Sequence, residues 1–142
     1  MDFENTVTID RAVKDVFAFL ANFENVPRWN YAIVETRQTS DGAVGVGTNY
    51  RQVRSVPSRS EETFEVTEFE PNRRLAIRGG FGPLEGTMVY ELDAEDGSTR
   101  VTNSAQLEGR GLAKLAAPLA SRRIAEAVSQ NLNTLKRLLE SE

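Results

Sequence analysis

The sequence predicts an α+β fold in which a curved, seven-stranded antiparallel sheet wraps one long C-terminal helix, with two short helices after the first strand. Three observations predict it. Strand-like alternation opens the chain and then runs from Tyr31 to about Leu107. Short turn signals punctuate that run, which makes successive strands antiparallel neighbours. From about Leu112 to Glu140 the apolar side chains recur at helical spacing, and only that element is large enough to cover a face of the sheet.

The elements follow in order. Phe3, Val7 and Ile9 alternate with Glu4, Thr6 and Thr8, the pattern of a half-buried strand. Asp10 stands at the expected N-cap of a helix, where its carboxylate can accept from free backbone N–H groups. Val13, Val16, Phe17, Leu20 and Phe23 mark one short amphipathic helix over Ala12 to Phe23, followed by a second helical turn. Pro27 is expected to end or redirect it. Six strands are then predicted, at about 31–39, 47–56, 60–70, 73–80, 84–94 and 98–108. Between them stand Asp41-Gly42 with Gly45 and Gly47, Pro57-Ser58, Glu70-Pro71-Asn72, the run Gly79 to Pro83, and Glu95-Asp96-Gly97. In the last helix Leu112, Leu115, Ala116 and Leu119 share a side. Pro118 should kink it, after which the apolar face passes to Ile124, Val128, Leu135, Leu138 and Leu139.

Composition limits the chemistry. The 142 residues suit one domain, and they contain neither cysteine nor histidine. Disulfides, a Ser-His-Asp triad, a Cys-His dyad and a zinc-hydrolase site are therefore excluded. Only oxygen ligands remain, so neither a cofactor nor a tight metal site is expected. The formal net charge is −4 with basic and acidic residues interleaved, which argues against nucleic acid as a partner. Met1 to Asn5 lack the features of a signal peptide, and no apolar run is long enough for a membrane span. A soluble, cytoplasmic protein is expected.

Several local patterns resemble the START/birch-pollen-allergen superfamily (SRPBCC), in its polyketide cyclase/dehydrase branch. Val7, Ile9, Asp10, Val16, Phe17 and Leu20 look like its first strand and helix, and Pro27, Trp29 and Asn30 like its tryptophan after the second helix. Gly45, Gly47 and Thr48 look like the opening of its third strand. The stretch Phe64 to Pro71 with Arg74-Leu75 is the most recognisable. Gly97 with Thr99 to Thr102 looks like the start of the last strand, and Leu132, Leu135, Lys136, Leu139 and Glu140 like the helix end. The resemblance spans nearly the whole chain and implies the helix-grip fold with a cavity between sheet and helix. The superfamily includes lipid and hormone carriers as well as polyketide aromatases and cyclases, so fold alone does not set function.

Candidate site residues are those that bring polarity or aromatic surface toward that cavity. Trp29 is either a ligand platform or a plug at the base of the sheet. Met88, Tyr90 and Leu92 share the face opposite Glu91; the Tyr90 hydroxyl then meets either another side chain or a ligand oxygen. Asn103 interrupts the stripe Val101, Ala105, Leu107 and needs a partner from protein, water or ligand. Tyr50 and Gln52 either line the cavity or face solvent with Val53 inward. Arg123 continues the helix stripe past Leu115 and Leu119, where its guanidinium either binds a carboxylate or enolate or snorkels to the surface. Glu61, Glu62, Glu65 and Glu68 read as a solvated strand face and turn. The glycines between Gly42 and Gly47 read as a hairpin, since strands flank them on both sides.

Two functions fit. One is binding of a small hydrophobic molecule, lipid-, aromatic- or polyketide-like. The alternative is a polyketide cyclase, aromatase or dehydratase acting on a carbonyl substrate in the same cavity by positioning and polarisation. A groove for another chain, or a homodimer through an exposed strand, is a further possibility. The cavity mouth is expected where Val56 to Ser58, Gly79 to Pro83 and Glu108 to Gly111 meet, because alternate connections share one end of the sheet.

Overall fold

Local signals become elements with few exceptions. β1 (Asp2–Ile9) alternates exposed and covered side chains and ends on the fully buried Ile9. α1 (Val13–Ala21) buries Val16, Phe17, Leu20 and Ala21. A single 3-10 turn (Phe23–Asn25) and the one-turn α2 (Val26–Trp29) follow. β2 (Ile33–Gln38), β3 (Asn49–Arg54), β4 (Ser60–Glu70), β5 (Arg74–Phe81), β6 (Leu84–Glu95) and β7 (Ser98–Gly109) precede α3 (Ala113–Glu140). The computed structural model describes residues 2–110 and 113–142, without the side chains of 113–121. The positions of Leu112, Leu115, Ala116 and Leu119 and the expected kink at Pro118 therefore lie outside the description. Among the described residues no helix is long and apolar enough to cross a membrane.

Three local expectations are corrected. Asp10 does not cap α1: its carboxylate accepts from Ser98 Oγ at 3.2 Å, and the helix begins after Ala12 without a side-chain cap. Pro27 stands in the first turn of α2 and starts that turn, since a first-turn residue needs no N–H donor. Gly79 and Gly80 belong to β5, leaving Gly82-Pro83 as the turn between paired Phe81 and Leu84.

All seven strands form one sheet in the order β1-β7-β6-β5-β4-β3-β2, with every pairing antiparallel. The successive strands β1 and β2 thus occupy opposite edges. The chain between them crosses the concave side, where α1 touches β6 and β7, and α2 touches β2 and α3. The β6–β7 hairpin closes on Asp96 (φ 50°) and Gly97 (φ 87°), the two positive-φ positions of a tight hairpin turn. Curvature has a steric source. A Cβ on Gly79 would run into the Thr63 carbonyl, and one on Gly86 into the Gln106 carbonyl. These close approaches let β4, β5, β6 and β7 bend together, and a bulge between Val66 and Glu68 adds twist.

Side chains of the concave face meet α3 in one core. Leu75, Val101, Leu132, Leu135 and Leu139 are each 2 % exposed or less. Along α3 the inward stripe runs Ile124, Val128, Leu132, Leu135, Leu139, with Leu138 half-buried beside it. Tyr50 stacks on Phe64 at 5.0 Å and meets the edge of Phe23 at 5.1 Å. Burial first, and the charge of Glu24 second, push its phenol from 10.0 up to about 12.

Two outcomes follow from this packing. Leu135→Ala should cost about 2–5 kcal/mol in urea unfolding, the range for a buried leucine whose cavity cannot close; a loss below about 0.5 kcal/mol would contradict its place in the core. The native state keeps the Tyr50 proton where the unfolded chain loses it, so its contribution to stability is intact below pH 10.0 and declines as pH rises toward about 12. Unfolding free energies measured across that window should fall less in Tyr50→Phe than in the parent.

Candidate functional site

A cavity of about 580 Å³ lies between the concave face, α3 and the segment around α2. Strand alternation supplies its sheet wall: Gln52 and Arg54 from β3, Phe64 from β4, Ile77 and Phe81 from β5, Met88 and Tyr90 from β6. Helical spacing supplies the opposite wall through Arg123, Ile124, Ala127, Val128 and Asn131. Phe23, Val26, Trp29 and Ala32 close the third side. Val56, Pro57 and Pro83 border the cavity at the end where the β3–β4 and β5–β6 connections meet. Tyr31 and Val56, 59 % and 41 % exposed, carry its apolar lining out to the surface. The expected third loop does not border the cavity within its described part, Glu108 to Arg110. It braces the β5–β6 turn instead, with Arg110 Nη2 donating to the Gly82 carbonyl at 3.0 Å; Gly111 lies outside the described residues.

Of the residues singled out from sequence, Trp29, Gln52, Met88, Tyr90 and Arg123 border this cavity. Trp29 is both buried and a wall, set edge-on to Tyr90 with ring centroids 6.4 Å apart. Arg123 is exposed and reaches the cavity from the solvent side. Tyr50 sits behind the wall because it stacks on Phe64, which takes the lining position. Asn103 also sits behind the wall, fully buried on β7 opposite Tyr90; its Nδ2 donates to the Val89 carbonyl at 3.3 Å and its Oδ1 has no partner among the described residues. Leu115 and Leu119 lie outside the described side chains.

Sequence reasoning missed the most polar feature of the site. Glu62 is not on a solvated face: it is 6 % exposed, while Glu61 and Glu65 are exposed and Glu68 pairs with Arg74 at 3.1 Å. Its parity is that of Phe64 and Val66, so the strand that buries those two carries Glu62 inward as well. Four donors meet its carboxylate. Gln52 Nε2 donates at 2.7 Å, Arg54 Nη2 at 2.8 Å and Arg54 Nε at 3.1 Å, all to Oε1; the Gly82 N–H donates to Oε2 at 2.8 Å. Thr36 Oγ1 holds Gln52 Oε1 from the other side at 3.5 Å. Arg54 thus stands at the cavity wall in a fixed orientation, with Nη1 free of hydrogen bonds among the described residues. The signal was present, since Arg54 shares the parity of Tyr50 and Gln52.

The chemistry this permits is narrow. Desolvation holds the Tyr90 phenol far above its usual range, so at neutral pH it is a protonated donor and not a base. No hydrogen bond reaches that hydroxyl from the described residues, so it remains available to a guest. The described lining includes no Asp or Glu. The site can exclude water, hold an apolar body and polarise an oxygen through Arg54 or Tyr90.

Comparison with known proteins agrees with this architecture. A protein from Thermus thermophilus superposes with a TM-score of 0.80 at 15 % identity, over 96 % of this chain and 95 % of that one. The Zhui aromatase/cyclase from Streptomyces sp. R1128 gives 0.73 at 13 % identity, over 97 % and 95 %. Ara h 8.0201 gives 0.75 at 16 % identity, over 100 % and 99 %. At these identities the likeness is one of fold, the helix-grip fold. No curated protein sequence matches the chain. The family model described as polyketide cyclase / dehydrase and lipid transport matches residues 1–140, and the chain belongs to that family.

Proposed function

We propose that residues 1–142 act as one domain that binds a small, largely apolar molecule, lipid-, aromatic- or polyketide-like, between the sheet and α3. The observation that carries this reading is the cavity itself: about 580 Å³, walled by Phe23, Trp29, Phe64, Ile77, Phe81 and Met88, with only a few polar groups among them. Sites for small molecules fall at roughly 300–1,000 Å³ and have this composition. The family's description, which includes lipid transport, supports it.

Arg54 favours a second reading, a cyclase, aromatase or dehydratase that polarises a carbonyl of a bound polyketide-like substrate. The Zhui aromatase/cyclase is one protein of the same fold. Ring closure or dehydration of a poly-β-ketone by the parent, lost in Arg54→Ala while binding persists, would establish catalysis. Binding without turnover would leave the carrier reading.

The cavity reading is tested with the neutral, apolar fluorophore N-phenylnaphthylamine. It should bind the folded protein with micromolar affinity, about −8 kcal/mol. Ala127→Trp projects an indole from α3 into the cavity and should abolish binding while the circular dichroism stays that of the parent. Undiminished binding by this variant would place the fluorophore elsewhere and remove the reading's main support.

A further inference from the structure

We propose that the Arg54–Glu62 pair, a part-buried guanidinium on a buried carboxylate, makes the cavity selective for neutral oxygen-bearing molecules, ketones or alcohols, against the carboxylates of the same shape. The inference rests on the binding reading above and specifies the chemical class of the guest.

A lone arginine in an apolar cavity is a receptor for a carboxylate. Arg54 is not alone. Its Nε and Nη2 both engage Glu62, and the side chains are 14 % and 2 % exposed. The guanidinium's charge is thus already balanced inside the fold. Glu62 cannot swing out to make room for a second anion, because Gln52 Nε2 and the Gly82 N–H hold its two oxygens at 2.7 and 2.8 Å. The one guanidinium nitrogen of Arg54 left without a partner among the described residues is Nη1, and the charge behind it is paired with Glu62.

A guest carboxylate at Nη1 would be attracted by the guanidinium and repelled by Glu62 on its far side, so Glu62 cancels part of the attraction. The attraction that remains does not offset the carboxylate's loss of hydration. A ketone or hydroxyl oxygen meets the same donor and has far less hydration to lose. The other cation of the described lining, Arg123, is exposed to solvent and screened, so it does not reverse this balance. At Tyr90 the guest finds a neutral phenol, a donor that adds no formal charge to the cavity.

The test uses two compounds of nearly equal shape, methyl naphthyl ketone and naphthoate, each displacing N-phenylnaphthylamine at neutral pH. The parent should bind the ketone at least about tenfold more tightly, a difference of about 1.4 kcal/mol. Glu62→Gln leaves Arg54 uncompensated and should narrow or invert that ratio by improving naphthoate. Arg54→Gln leaves the Glu62 charge unbalanced and should widen it. Equal or preferred binding of naphthoate by the parent overturns the proposal, a measurement that needs no variant to fold. A ratio unchanged in a folded Glu62→Gln assigns the selectivity to another group and equally overturns it. If the fluorophore and both compounds fail to bind the parent, the cavity reading itself fails and the selectivity falls with it.

Discussion

The whole architecture depends on a mismatch of widths. Seven strands at about 4.8 Å spacing make a sheet roughly 29 Å across, whereas a helix with its side chains measures about 10 Å. One helix cannot cover such a sheet if it is flat. α3 packs against β1 and β7, toward one edge. The sheet must bend to meet it, and the remaining concave surface must be covered by something else. The chain between β1 and β2 supplies that cover as α1, the 3-10 turn and α2. The cavity is the volume that these three bodies fail to fill.

Bending a sheet requires strands that approach more closely than side chains allow. Gly79 and Gly86 stand where a Cβ would collide with the next strand's carbonyl, so the bend is written into two residues on adjacent strands. They pair with one another across β5 and β6, and their neighbours Phe64 and Leu107 continue the row. Side chains on either side of that row, such as Ile77, Met88 and Phe81, then point toward a common centre. Curvature and cavity are one feature seen from two sides.

Polarity is admitted to this interior only under restraint. The Glu62 carboxylate has donors at both oxygens, and one of those donors, the Gly82 N–H, belongs to the turn beside Pro83 at the cavity border. The buried Glu62 carboxylate therefore orients its partner Arg54 and also fastens the β5–β6 turn. Removing either partner would leave an uncompensated charge in an apolar setting, which is far costlier than the pair is worth. Asn103 and Tyr90 differ in kind: neutral groups with unused hydrogen-bonding capacity, one sealed behind the wall and one on it.

Element type and order were legible in the sequence because they depend on neighbours within a few residues. Alternation marked β1 and β4 to β7, turn residues such as Asp96-Gly97 separated them, and the spacing of Val128, Leu135 and Leu139 marked the buried side of α3. Inward parity was equally legible for Met88, Tyr90 and Asn103. Parity states only that a side chain faces inward; it does not state what else is there. Tyr50 and Phe64 both face inward on paired positions, and their stacking, a contact between strands, decides which one lines the cavity. Glu62 shares the inward parity of Phe64 and Val66, and the acidic residues around it in sequence masked that; its partners were not legible at all. A glutamate's burial depends on finding Arg54, Gln52 and the Gly82 N–H around it, donors from a neighbouring strand and a distant turn. No periodicity within β4 records that meeting, because it exists only once the sheet has closed.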